Sequence, residues 1–141
     1  MLPLRYASRW RVASIVLLLL VLVATMLPAV WLWPDSRKFV AWFVDVDKWL
    51  HGLTFVFLAI WFAGQYRLRS YWRIAVGLIL FGVLIEACQR LVTYRSADIL
   101  DIVADAAGIG VGLVMAMAGL GGWGLWLENR LGKSEADTSV D

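Results

Sequence analysis

Apolar residues along this chain fall into four long blocks. Val12 to Trp33 contains no charge, and Trp49 to Tyr66 has His51 as its single ionisable group. Ile74 to Val92 is interrupted near its end by Glu86 and Arg90, and Ile102 to Leu127 by Asp105 alone. A helix rises about 1.5 Å per residue, so a hydrocarbon core of about 30 Å is crossed by about 20 apolar residues. The pattern therefore predicts transmembrane helices over about 12–33, 48–66, 72–93 and 99–120. The fold class expected is all-α, an integral membrane four-helix bundle. The first block follows Arg5, Arg9 and Arg11, as in a secretory signal. Its apolar run is longer than such signals use and no A-x-A site follows, so it is expected to stay as a helix.

The connections carry information of their own. Pro34 to Val46 includes Phe39, Val40, Trp42, Phe43 and Val44, too apolar for a solvated loop, and predicts an interfacial segment after the first helix. Gly119, Gly121, Gly122 and Gly124 weaken the end of the fourth helix. Residues 1–132 read as a single transmembrane domain, and 133–141 as a disordered cytoplasmic tail.

Composition agrees with the pattern. Hydrophobic residues make up 62% and charged residues 17%, against about 45–50% and about 25% in soluble domains. A chain this small cannot hide that excess, which argues against a soluble enzyme, a disordered regulator and a disulfide scaffold. Cys88 is the one cysteine, and a net charge of +2 points away from nucleic acid. Nothing in the pattern calls for a cofactor or a resident metal. Membrane lipids are the expected partners, and a homo-oligomer is compatible with the sequence.

Lysine and arginine set the orientation. The N-terminus, the connection bearing Arg67, Arg69 and Arg73, and the tail hold eight of the 13 basic residues. The other side holds seven of the 11 acidic ones. Both termini are thus expected in the cytoplasm of a multi-pass protein of the bacterial cytoplasmic membrane. Tryptophans are expected as interface anchors, with Trp31, Trp33, Trp42 and Trp49 outside and Trp10, Trp72, Trp123 and Trp126 inside.

Polar groups within the predicted spans gather towards the outer end. His51, Glu86 and Asp105 come out about 10 Å below the outer surface. A lone charge at mid-membrane costs about 2.5–3.5 kcal/mol, while each leucine returns about 0.3–0.6. Such groups are expected to face inward and to meet one another or water. The candidate binding set is Asp47, Lys48, His51, Glu86, Gln89, Arg90, Arg95, Asp101 and Asp105, with His51, Glu86 and Asp101 as the best catalytic candidates. Simpler roles stand beside these: an interior histidine, a Glu86–Arg90 ion pair at i, i+4, a helix cap at Asp98. Asp101, Asp105, Gly108 and Gly112 share one face of the fourth helix, where Gly108-x-x-x-Gly112 invites close packing.

The motifs Asp47-Lys48-x-x-His51-x-x-x-Phe55, Glu86-x-x-Gln89, Arg95-Ser96 and Asp101-x-x-x-Asp105-x-x-Gly108-x-x-x-Gly112, in this order on these helix ends, resemble the VanZ-like family of small bacterial membrane proteins. The resemblance covers about residues 45–115. The family usually has asparagine where Asp105 stands. Its namesake is associated with resistance to teicoplanin, so the resemblance implies a role in the cell envelope and in antibiotic resistance. On the residues, the favoured expectation is an outward-facing site for a lipid or cell-wall head group, such as that of a lipid-linked envelope precursor. A membrane enzyme acting on a lipid-linked substrate, with His51 as base or nucleophile, is the alternative, and a proton-coupled carrier ranks third.

Overall fold

The computed structural model describes residues 1–26, 40–91 and 99–137, the side chains of 40–47 and 132–137 excepted. The described chain is helical, with no strand: α1 (Ala7–Met26), α2 (Val40–Ala63), α3 (Tyr71–Gln89), α4 (Ile99–Met115) and α5 (Trp123–Asp137). A 3-10 turn, Leu68–Ser70, leads into α3, and a wider π-type turn, Ala116–Leu120, continues α4. Three segments are long and apolar enough to cross a membrane: Ala7–Met26, Leu68–Gln89 and Ile99–Leu120. The apolar part of α2, Lys48–Ala63, is shorter, although α2 as a whole has 24 residues.

The surface is apolar and the interior is partly polar. Val12, Leu20, Leu80, Val103 and Val114 are each about 60% exposed, whereas His51, Gln65, Glu86, Gln89, Asp101 and Asp105 are buried. Water would penalise such a surface, because exposed apolar area costs about 25 cal/mol per Å². Hydrocarbon would not, so the arrangement suits a chain solvated by lipid.

Helices successive along the chain run in alternating directions. His51 and Gly52 near the start of α2 meet Asp105 and Gly108 of α4, and Val56 meets Gly112 one turn further on, so α2 and α4 are parallel. Tyr71 at the start of α3 reaches Ala63 at the end of α2, which sets α3 antiparallel to α2. Gln89 at the end of α3 reaches Thr25 near the end of α1, while Ser14 of α1 meets Gln65 just past α2. A core of Phe55, Leu58, Ala59, Leu78, Ile85 and Ile109 fills the space between α2, α3 and α4. In α1 the one buried residue is Ser14, so this helix lies against the others rather than among them.

The chain turns sharply after α4. Gly119 and Gly122 take positive φ of 140° and 72°, a region that a side chain would disfavour. The turn folds α5 back against the start of α1. Trp123 Nε1–H donates to the Ile60 carbonyl at 3.0 Å, and its indole lies over Gly64 so closely that a Cβ there would overlap it. Trp10, Trp61 and Trp123 stack together with centroids 5.3–5.7 Å apart. Glu128 completes the clasp. Its carboxylate accepts the backbone N–H of Arg5 at 2.7 Å and of Tyr6 at 3.0 Å, and the Trp10 indole N–H at 2.8 Å. An anion at the first turn of a helix satisfies amides that have no partner within the helix.

Several sequence expectations are corrected here. Helix α2 begins at Val40 rather than near 48, so Val40–Val46 belongs to it and is not a separate interfacial piece. Charge at Asp45, Asp47 and Lys48 ends a hydrophobic block, but it does not end a helix. The part of that segment before Val40, Trp31 and Trp33 preceding it, and the side chain of Trp42 lie outside the described residues. Trp10 and Trp123 come together with Trp61 at one end of the bundle, while Trp49, Trp72 and Trp126 are largely exposed. Helix α5 extends to Asp137, into the stretch expected to be disordered.

The clasp gives a pH prediction. Burial raises the Glu128 pKa, but the backbone bonds from Tyr6 and Arg5, the Trp10 bond and the Arg5 charge outweigh it and hold the carboxyl below its ordinary 4.5. A depressed folded pKa means stabilisation that is present above the ordinary value and lost as pH falls through the folded one. As the pH falls below the ordinary 4.5, the protection of amides in α5 and the first turn of α1, relative to their intrinsic exchange rates, should weaken while α2–α4 stay protected. Glu128→Gln should show the same loosening already at pH 7. Hydrogen-exchange mass spectrometry in detergent reads both.

Candidate functional site

The polar cluster is built on the seam between α2 and α4. A Cβ on Gly108 would overlap the Gly52 carbonyl oxygen, and one on Gly112 would sit 2.6 Å from the Val56 oxygen and 2.7 Å from Ala59 Cβ. The two backbones are therefore in direct contact. Helices approach this closely only where side chains are absent or very small. His51 and Asp105 flank the seam, one residue before Gly52 and three before Gly108. The approach brings His51 Nδ1 to within 3.0 Å of Asp105 Oδ1, hydrogen-bond distance.

Helix α3 closes the third side. Gly82 leaves room for the Asp105 carboxylate: a Cβ there would lie 2.6 Å from Oδ2 and 3.3 Å from Phe55. One turn along, Glu86 is buried on the same helix. His51 Nε2 and Glu86 Oε1 are both closed to solvent. Gln89 is buried and its amide donates to the Thr25 carbonyl at 3.3 Å, tying α3 to the end of α1. Asp101 is buried in the first turn of α4, one turn from Asp105.

The other candidates are placed differently. Lys48 is half-buried and Arg90 is exposed at the rim. The expected Glu86–Arg90 ion pair does not form among the described residues. Arg90 sits at the end of α3, just past Gln89, and its long side chain can carry the guanidinium outward to solvent. The side chain of Asp47, and all of Arg95, Ser96 and Asp98, lie outside the described residues. No set of three or more His, Cys, Asp or Glu side chains among the described residues is grouped to hold a metal ion.

A second polar group lies at the other end and was missed in the sequence. Ser14 Oγ receives the Trp61 indole N–H at 3.0 Å and the Gln65 amide N–H at 3.1 Å, and its hydroxyl faces Gln65 Oε1 at 3.2 Å. Attention to formal charge passes over such residues. An uncharged amide inside a predicted span also needs partners, because unpaired it would cost several kcal/mol, or about 2–7 on transfer scales. Gln65 beside the second apolar block was therefore the available signal. Glu128 had none, since its partners are backbone amides at the far end of the chain.

Residues 5–121 match the family model VanZ/LLP1. The chain belongs to the VanZ/LLP1 family. No curated protein and no solved structure matches it. The VanZ/LLP1 match takes in α1 through the π-type turn, and so includes His51, Glu86, Gln89, Asp101, Asp105 and both seam glycines of α4. Trp123 and Glu128 lie beyond it, so the clasp of α5 onto α1 falls outside the part matched to VanZ/LLP1.

Proposed function

We propose that this VanZ/LLP1 protein crosses the bacterial cytoplasmic membrane four times as a helix bundle, with both termini in the cytoplasm. Its function is to hold the head group of a lipid or lipid-linked cell-wall precursor at the extracytoplasmic side, and through that to contribute to glycopeptide resistance. The observation that carries this reading is the burial of His51, Glu86, Asp101 and Asp105 at one end of a lipid-suited bundle. Isolated, each such group would oppose insertion by about 2.5–3.5 kcal/mol when charged. Their convergence supports a site whose inner wall is polar and whose rim carries cations. Lys48, Arg90 and Arg95 supply charge for phosphate or carboxylate, with arginine suited to two-pronged contact. The buried acids and Gln89 hold the frame beneath them.

Binding is favoured over catalysis because His51 Nε2 is closed to solvent, and a general base must reach the proton it removes. The spacing of His51 to Asp105, 3.0 Å, supports catalysis on the same lipid-linked substrate as a second reading, with Asp105 orienting the imidazole. Turnover of a labelled lipid by the purified protein separates the two.

A deletion strain tested against teicoplanin and other envelope-directed antibiotics provides the cellular test. The deletion should lower resistance, wild-type protein should restore it, and a double Arg90→Ala, Arg95→Ala variant present at equal level should not. Unchanged susceptibility of the deletion, or full rescue by the double variant, would remove this reading.

A further inference from the structure

The described residues contain a second site, at the end of the molecule opposite the His51 cluster. An apolar groove of about 330 Å³ runs between Leu18 of α1, Phe62 of α2 with Tyr66 just beyond it, and Gly77 and Phe81 of α3. A basic chamber of about 520 Å³ adjoins it, lined by Arg67, Arg69 and Arg73. Met1, Ser70 and Arg73 line both, so the two share a wall. No acid lines either space. The groove extends from Arg73 to Phe81, about 12 Å along α3. Gly77 keeps it open, since a Cβ there would meet nothing within 4 Å. The Arg73 guanidinium lies 5.3 Å from the Trp72 ring centroid, a contact that helps place it.

We infer that this is a binding site for an anionic glycerophospholipid, whose phosphate sits among Arg67, Arg69 and Arg73 and whose acyl chain lies in the Leu18–Phe81 groove. Three guanidiniums within one short stretch, with no acid among the described residues that line the space, match a phosphate, which accepts paired N–H bonds from arginine. A basic pocket between membrane helices is the form that head-group recognition takes in a bilayer. The groove distinguishes this site from a general attraction of arginines to an anionic surface, because it gives one chain a bounded place. The inference does not rest on the head-group site proposed above, which lies at the other end of α2 and α3.

The test uses the full chain in detergent, followed by native mass spectrometry. Phosphatidylglycerol should bind as a discrete adduct, and phosphatidylcholine should bind far more weakly. Replacing Arg67, Arg69 and Arg73 by glutamine should weaken phosphatidylglycerol binding about a hundredfold, from about fivefold per charge. Gly77→Leu tests the groove separately. It adds a side chain where there is open space and removes a helical glycine, so the protein should fold with a melting temperature equal to or slightly above wild type while lipid binding falls. Soluble glycerol phosphate should not displace the lipid at equal concentration. Equal binding of phosphatidylcholine, undiminished binding by Gly77→Leu, or displacement by glycerol phosphate would overturn the inference, the last in favour of a free phosphate site.

Discussion

Gly108→Ala should be among the most damaging single-methyl changes available in this protein. The added Cβ would overlap the Gly52 carbonyl oxygen, and both partners are backbone. No side-chain rotation relieves the clash, so α2 and α4 must separate. Overpacking of this kind costs about 1–3 kcal/mol or more, and a second loss follows from the position of the seam. His51 and Asp105 lie beside it, and their 3.0 Å bond depends on the helices staying in contact. Gly110→Ala is the control. It is on the same helix, a Cβ there would meet nothing within 4 Å, and alanine favours helix over glycine by about 1 kcal/mol. Thermal unfolding in detergent should show a clear drop for Gly108→Ala and a small rise for Gly110→Ala. Equal melting temperatures for the two would mean that the helices are not in backbone contact.

Asp105 should separate the role of charge from the role of the hydrogen bond. In Asp105→Ala, His51 loses its partner and the space over Gly82 empties. Removing one member of a buried pair costs about 3–5 kcal/mol. Asp105→Asn keeps an oxygen where Oδ1 stands, still within hydrogen-bond distance of His51 Nδ1, and it removes the ionisable group. Its cost should stay within about 1 kcal/mol, the size of one hydrogen bond. The VanZ-like pattern, with asparagine usual at this position, points the same way. Melting curves of the two variants test the ordering, and a His51→Ala, Asp105→Ala double mutant should cost much less than the sum of the singles. Additive losses would mean that the two side chains act separately.

Three of the four blocks read from hydropathy reappear as segments long and apolar enough to cross a membrane. The burial of His51, Glu86 and Asp105 followed from cost: groups expensive in lipid turn away from it. The pairing of Glu86 with Arg90 did not survive, although i, i+4 spacing made it reasonable. That spacing places two side chains near each other along a helix, but it says nothing of where the helix ends. Arg90 is past the end, and exposed. Trp10 and Trp123 do gather at one end of the bundle, together with Trp61. Their distance along the chain placed Trp10 and Trp123 near one membrane face, but whether a ring meets lipid or another ring depends on helix rotation and on the turn at Gly119 and Gly122.

Helical content, segments apolar enough to cross a membrane and the burial of the polar groups were written in the amino-acid order, because transfer free energies accumulate residue by residue along a continuous segment. Partner choice was decided by the tertiary structure. His51 and Asp105 are 54 positions apart, and Glu128 reaches amides more than 120 positions away. Such pairs form only once backbones meet at Gly52 and Gly108, or once α5 folds back on α1. Contact of that kind depends on shape between distant segments, which no local sum of hydropathy contains.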